Sequence, residues 1–334
     1  MRKGNTVLLK EPPSVTAFAA VVGKKESEGP LAKEFDECHA DNTFGEDSWE
    51  KSESALQQRA MKKMLEKAGM QKEEVELVFA GDLENQTTAS GYTQRAMGIP
   101  YVGLYGACST MAESLALAAA FVSAGFAKNA AALTSSHFCA AERQFRFPLE
   151  YGGKRTPTSQ WTVTGAGSCL LQPGGGPPYI KAFTFGKVVD LGVTDINNMG
   201  AAMAPAAADT LASFFQDTGA DPADYDRIFT GDLGAVGTRC LKELLRQEHG
   251  ISLPNHDDCG MMIFDREKQN VQAGASGCGC SASVLCGHIL PEIKKGTLGK
   301  VLFMATGALM SPVTVQQGES IPCIAHLVEI SNTK

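Results

Sequence analysis

The sequence predicts an α/β protein built from two similar halves, and three observations carry that prediction: length, an internal repeat, and a strand–helix alternation that runs twice. At 334 residues the chain exceeds twice the usual span of a single-core domain. Val78-Phe79-Ala80-Gly81-Asp82-Leu83 is matched by Ile228-Phe229-Thr230-Gly231-Asp232-Leu233, an apolar run ending in the same three residues 150 positions later. Gly106-Ala107-Cys108-Ser109-Thr110 opens an Ala-rich stretch closing at Lys128, and Cys278-Gly279-Cys280-Ser281-Ala282 opens another that closes at Lys300. Cys108 and Cys280, Lys128 and Lys300, and Thr134 and Thr306 are each 172 positions apart, so these blocks align without a gap. The Gly- and Pro-rich segment Gln172–Pro178 is the natural junction, giving halves 1–178 and 179–334.

In the first half, an apolar strand from Thr16 to Gly23 precedes a helix from Trp49 to Ala68, where Leu56, Ala60, Met64 and Ala68 share one face and Gly69 is the stop. A strand to Ala80, a short helix Ser90–Met97, a strand Tyr101–Tyr105, the Cys108 helix, a strand to Thr134 and a strand Val163–Leu171 follow. The second half repeats this: strand Ile180–Val189, helix Met203–Phe215, strand Arg227–Thr230, helix Gly237–Glu248, strand Cys259–Phe264, helix Ser281–Ile293, and strands Val301–Ala305 and Ile324–Ile330.

Composition excludes several classes. Apolar residues at 43% and charged residues at 20% describe a packed chain, not a disordered one. A net charge of -7 argues against nucleic acid as a partner. No charged start with an apolar core marks a signal peptide, so the ten cysteines read as reduced thiols. The longest apolar stretch, Leu115–Ala127, is interrupted by Ser123 and Gly125 and falls short of the roughly 18 to 20 residues a membrane span needs. Walker-type and dinucleotide glycine motifs are absent from the sequence, and no cofactor is expected.

A cysteine in a small-residue turn that opens a buried Ala-rich helix, inside a duplicated β-α-β-α-β-α-β-β unit, resembles the thiolase and ketoacyl-synthase superfamily. The implied architecture is a thiolase-like five-layered α-β-α-β-α fold, with the helices near Cys108 and Cys280 between two sheets. Within that superfamily the segments Gly81–Gln86, Tyr105–Thr110, Thr134–His137, Ala141–Pro148, Ala202–Thr210 and Glu319–His326 resemble the stage V sporulation protein AD family. That resemblance implies a role in spore formation and binding of dipicolinic acid (pyridine-2,6-dicarboxylate) on its way into the developing spore. It also implies a homodimer working beside membrane proteins of the same sporulation operon, peripheral at the inner spore (forespore) membrane.

Cys108 sits where a helix begins, a place that favours an anion and suits a nucleophile. Condensing enzymes add His with His or Asn from the second half, and here the aligned positions are Asp232 and the segment Gly274–Gly277. A carboxylate beside Cys108 opposes thiolate formation, which points to ligand binding in place of acyl-CoA condensation or acyl transfer. The other reading of Cys108 is an inert core residue.

A dicarboxylate needs local donors. Ser109 at the same helix start, His137 after its strand, and Arg143 and Arg146 in the following stretch, with Lys154 and Arg155 beyond, are the candidates. The alternatives are ion pairing of the arginines at a dimer interface and a buried core role for His137; His326 reads as structural. Asp82 and Asp232 end equivalent strands and are candidates both for the pocket and for capping the next helix. His256, Cys259, Cys278, Cys280, Cys286 and His288 are soft ligands, but their spacing does not match a zinc knuckle and no metal is expected.

Overall fold

The computed structural model describes residues 1–145 and 155–334, Phe145 by its backbone alone. After an N-terminal hairpin of β1 (Arg2–Lys3) and β2 (Thr6–Leu8), the first half runs β3 (Ser14–Val22), β4 (Glu37–Cys38), α1 (Trp49–Ala68), β5 (Leu77–Gly81), α2 (Thr88–Met97) and β6 (Tyr101–Gly103). It continues through α3 (Thr110–Ser123), β7 (Ala130–Ser136), α4 (Phe138–Phe145), β8 (Trp161–Thr162) and β9 (Gly165–Gln172). The second half is β10 (Tyr179–Phe185), α5 (Met199–Thr218), β11 (Arg227–Thr230), α6 (Gly234–His249), β12 (His256–Asp258), α7 (Cys259–Met262) and β13 (Ala275–Ser276). It closes with α8 (Cys278–Val284), α9 (Leu290–Lys295), β14 (Lys300–Ala308), α10 (Pro312–Gln316) and β15 (Cys323–Ser331).

Two five-stranded sheets have the same topology. In the first the order is β6-β5-β7-β9-β3, and in the second it is β12-β11-β14-β15-β10. The first three strands of each order are parallel and the other pairings antiparallel. One bridge, Tyr179 to Ser14, joins the sheets edge to edge.

Strand alternation sorts the side chains into layers. Val78 and Ala80 of β5 face α1, where they meet Leu56, Met61 and Met64, while Phe79 faces the middle of the molecule. In β14, Leu302 and Met304 face α5 and α6, while Val301, Phe303 and Ala305 face inward. The middle layer holds α3 and α8, which pack through Met111, Leu115, Ala116, Cys280 and Ala282. Small side chains there let the helices approach sheets on both sides: a Cβ on Gly167 would lie 2.4 Å from the Ala282 carbonyl oxygen. Each fully buried Leu or Met contributes about 1.5–3 kcal/mol by leaving water.

Three segments depart from the sequence expectation. Cys259–Met262 is a short helix, and the strand precedes it at His256–Asp258. A short, wholly apolar run carries no period by which to tell the two apart, and Asp258 ends the strand by accepting the Leu233 and Gly234 N–H groups at 2.9 and 3.0 Å. The helix expected over Ser281–Ile293 contains a π-helical turn at Leu285–Ile289, just before Pro291, which has no N–H to continue the ladder. The stretch read as a loop after His137 begins as α4.

Candidate functional site

The ends of β5, β11 and β14 and the starts of α3 and α8 converge. Gly307 of β14 lies so close to the turn before α3 that a Cβ on it would stand 2.0 Å from the Gly106 oxygen. Ala107 takes a left-handed φ of 50°, costly for a residue with a side chain, and turns the chain so that Cys108 opens the helix.

Cys108 lies at the base of a cavity of about 480 Å³. Leu83, Asn85, Gln86 and Thr87 form one side, and Gly103, Leu104 and Tyr105 continue it from β6. Gln144 of α4, Met199 of α5, Ser276 and the segment Ala308–Pro312 complete the wall. The described lining is an apolar frame carrying neutral donors: two amides on Asn85 and Gln86, a third on Gln144, and hydroxyls on Thr87, Tyr105, Ser276 and Ser311.

Cys108 and Asp232 do come together. Their side chains are hydrogen-bonding neighbours, the thiol donating to the carboxylate. Burial, then the Asp232 charge and Cys278, push the Cys108 thiol well above its ordinary range. Burial also pushes Asp232 up to about 7, against the Gly277 N–H at 3.0 Å and the Thr306 hydroxyl at 2.9 Å, which both favour its charged form. A backbone amide, Gly277, and a carboxyl, Asp232, are thus the groups that stand against the Cys108 thiol.

The other expected residues are placed elsewhere. Ser109 spends its hydroxyl on the Gly106 oxygen at 2.6 Å. Asp82 accepts the Glu84 N–H at 2.9 Å, the Ser90 N–H at 2.8 Å and the Ser90 hydroxyl at 2.6 Å, organising the entry to α2. His137 faces away from the cavity lining: its Nε2 meets the Asn42 oxygen at 2.8 Å and its ring stacks on Trp49 at 5.3 Å. Burial lowers it to about 4, so the ring is neutral at pH 7. Arg143 is half-exposed and ion-paired with Glu50 of α1, outside the cavity wall. Arg146 and Lys154 lie outside the described residues. Arg155 stacks over Trp161 and pairs with the buried Glu142 at 3.4 Å. His326 accepts the Gly186 N–H and is also lowered to about 4 by burial.

The soft ligands are engaged one by one: Cys278 with the Ser135 oxygen at 2.9 Å, His256 with the Thr230 hydroxyl at 2.9 Å, His288 with Glu34 at 2.6 Å. Among the described residues no helix is long and apolar enough to cross a membrane.

The cavity-lining residues that sequence reasoning missed are the neutral ones, Asn85, Gln86, Thr87, Tyr105, Gln144, Ser276 and Ser311. A signal existed only for the first three, a polar run directly after the repeated Gly-Asp-Leu.

Residues 3–331 match the family model described as stage V sporulation protein AD. A relative from Bacillus subtilis (strain 168), stage V sporulation protein AD, is 44% identical over 321 residues, covering 96% of this chain and 95% of its own. Among solved structures, cerulenin-bound Xanthomonas campestri OleA matches with a TM-score of 0.61 at 14% identity, over 99% of both chains. The 3-oxoacyl-[acyl-carrier-protein] synthase III of Aquifex aeolicus VF5 matches with a TM-score of 0.58 at 12% identity, over 96% of this chain and 99% of that one. These neighbours share the thiolase-like fold.

Proposed function

The chain belongs to the stage V sporulation protein AD family, which gives it a role in spore formation, and from that premise we propose that it is a non-catalytic binding protein for dipicolinic acid, supporting its uptake into the developing spore. One observation carries the reading: the cavity at Cys108 pairs the thiol with a carboxyl, Asp232, which suppresses the thiolate that condensation or acyl transfer requires. What remains is a recognition surface. A planar pyridine ring fits the frame of Leu83, Leu104, Met199 and Met310, and its carboxylates meet the amides of Asn85, Gln86 and Gln144 and the hydroxyl of Ser311.

The protein works as a homodimer, peripheral at the forespore membrane beside membrane proteins of its operon. Unequal sheet edges support the dimer. The first sheet ends in Tyr101-Val102-Gly103, with Val102 and Tyr105 exposed, whereas the second ends in His256-Asp257-Asp258, where His256 and Asp258 are buried and the exposed Asp257 charge discourages strand addition.

Calorimetry with dipicolinate tests the binding reading. Saturable heat that is lost in Gln86→Ala and Gln144→Ala, with no covalent adduct on Cys108 after incubation with acyl-CoA, is the expected result. An adduct lost in Cys108→Ser, or no heat at millimolar dipicolinate, overturns it.

A further inference from the structure

Beneath the lip of the cavity lies a polar cluster that ligand recognition does not use. Glu53 of α1, Asp82 after β5, and Glu84 are each at most 1% exposed. Asp82 is satisfied by its three donors. Glu53 receives the Ser135 hydroxyl on Oε1 at 2.7 Å, but its Oε2 meets no donor. Neither oxygen of Glu84 meets a donor at hydrogen-bonding geometry, although the Ala89 N–H lies nearby. The Glu53 and Glu84 carboxyls themselves are within hydrogen-bonding reach of each other.

Two carboxyls facing one another out of water hold together with a proton between them and repel without it. Among the described residues nothing around them offers a substitute. The titratable neighbours are Asp82 at the end of β5, Cys278 of α8, and Tyr101 and Tyr105 at and just beyond β6, all of them acids. The polar groups facing the cluster from α1, α2 and β7 are Gln57, Ser90 and Ser135, and these are neutral.

Glu84 is tied directly to the cavity. The next three residues, Asn85, Gln86 and Thr87, line it. Gln86 and Thr87 both carry left-handed φ angles, 59° and 52°, a costly conformation for two consecutive residues with side chains. This segment is held down at one end by the buried Glu84 and at the other by the Thr87 hydroxyl against the Tyr101 hydroxyl at 2.9 Å.

We propose that Glu53 and Glu84 form a one-proton latch that holds the cavity lip, Asn85–Thr87, in its strained conformation, and that loss of the shared proton releases the lip. The latch regulates the cavity assigned above and rests on that assignment for its meaning, but it is read without ligand. Burial raises both carboxyls above their ordinary range, helped by the Glu84 and Asp82 charges at Glu53 and by the Asp82 charge at Glu84, so at neutral pH the pair keeps the proton the latch needs, and the latch opens on the alkaline side when the last proton is lost.

Hydrogen–deuterium exchange of the unliganded protein between pH 6.5 and 9, corrected for intrinsic exchange, tests it. Protection of the Asn85–Met97 amides should fall about tenfold for each pH unit above the pair's titration, while protection across β9 stays constant. In Glu53→Gln the new amide donates to ionised Glu84, and in Glu84→Gln the donation runs the other way. Either variant should therefore keep the lip protected across the range, and one folded variant suffices. Constant protection in the parent protein, or an undiminished pH dependence in a folded variant, overturns the latch. Dipicolinate calorimetry at pH 6.5 separates the two readings: no binding with an intact exchange transition removes the ligand assignment and leaves the latch, whereas binding with pH-independent exchange removes the latch alone.

Discussion

Replacing Asp232 with Asn tests how the cavity handles an anion. Asp232 is fully buried, pushed up to about 7, and lies against the thiol at the cavity base. With a midpoint near 7, roughly one-tenth of the molecules carry the charge at pH 6 and nine-tenths at pH 8. Dipicolinate is a dianion throughout this range. If only the protonated carboxyl admits it, the apparent affinity falls about tenfold from pH 6 to pH 8, or about 1.4 kcal/mol. His137 and His326, both lowered to about 4, stay neutral over the interval and add no competing step. In Asp232→Asn the shape remains and the charge is gone. Calorimetry at pH 6, 7 and 8 should therefore give a tenfold slope for the parent and a flat profile for the variant. Alkylation provides a second reading that needs no ligand. Removing the carboxylate relieves one of the causes that hold the Cys108 thiol up, so iodoacetamide should label Cys108 faster in the variant at pH 8. A variant that keeps the parent's slope, or labels more slowly, refutes the role given to Asp232.

Three further outcomes follow from the packing. Glu26 is buried, accepts the Thr164 N–H at 3.0 Å, and is raised by burial from 4.5 to about 7. Its protonated form is the one the fold prefers, so its contribution is complete below about 4.5 and is lost as pH rises through about 7; Glu26→Gln should match the parent near pH 5 and exceed it by about 3 kcal/mol at pH 8 in urea unfolding, and parallel curves would exclude this. Leu115→Ala opens a hole between the two sheets and should cost about 2–5 kcal/mol in the same assay; a loss under about 1 kcal/mol would mean that the middle layer collapses around it. Gly307→Ala forces a Cβ against the Gly106 oxygen and should weaken dipicolinate at least tenfold, whereas Gly174→Ala, with nothing within 4 Å, should leave it unchanged; equal affinities would separate this contact from the cavity.

What the sequence revealed follows from which interactions leave a local trace. The helix α1 was legible because its buried face repeats every three to four residues and Gly69, at φ 64°, stops it. Cys108 and Asp232 were legible together only through the repeat, which aligns both with known positions of one fold. Arg143 misled for the opposite reason: its partner Glu50 is remote in sequence, and a count of local charges cannot register an ion pair across helices. The neutral cavity donors have neither period nor charge.

The repeat also holds the reason the two halves are not equivalent. Its offsets, 150 at the strand ends and 172 at the helix starts, differ by 22 positions inserted between Asp232 and Cys280. That interval carries α7, the turns after it, and β13, which pairs with β8 and delivers the Gly277 N–H to Asp232. Gln160 fixes the same segment by donating to the Asp232 and Ala275 oxygens at 2.6 and 2.8 Å. In the first half, Asp82 has no such cover and turns back to serve α2. The insertion therefore closes the second helix start, where Cys280 is fully buried with its thiol directed to the Gly231 oxygen, and leaves the first open at Cys108. Of the two equivalent helix starts, the one at Cys108 lines the cavity and the one at Cys280 is closed off, and in the sequence that difference is a change of register.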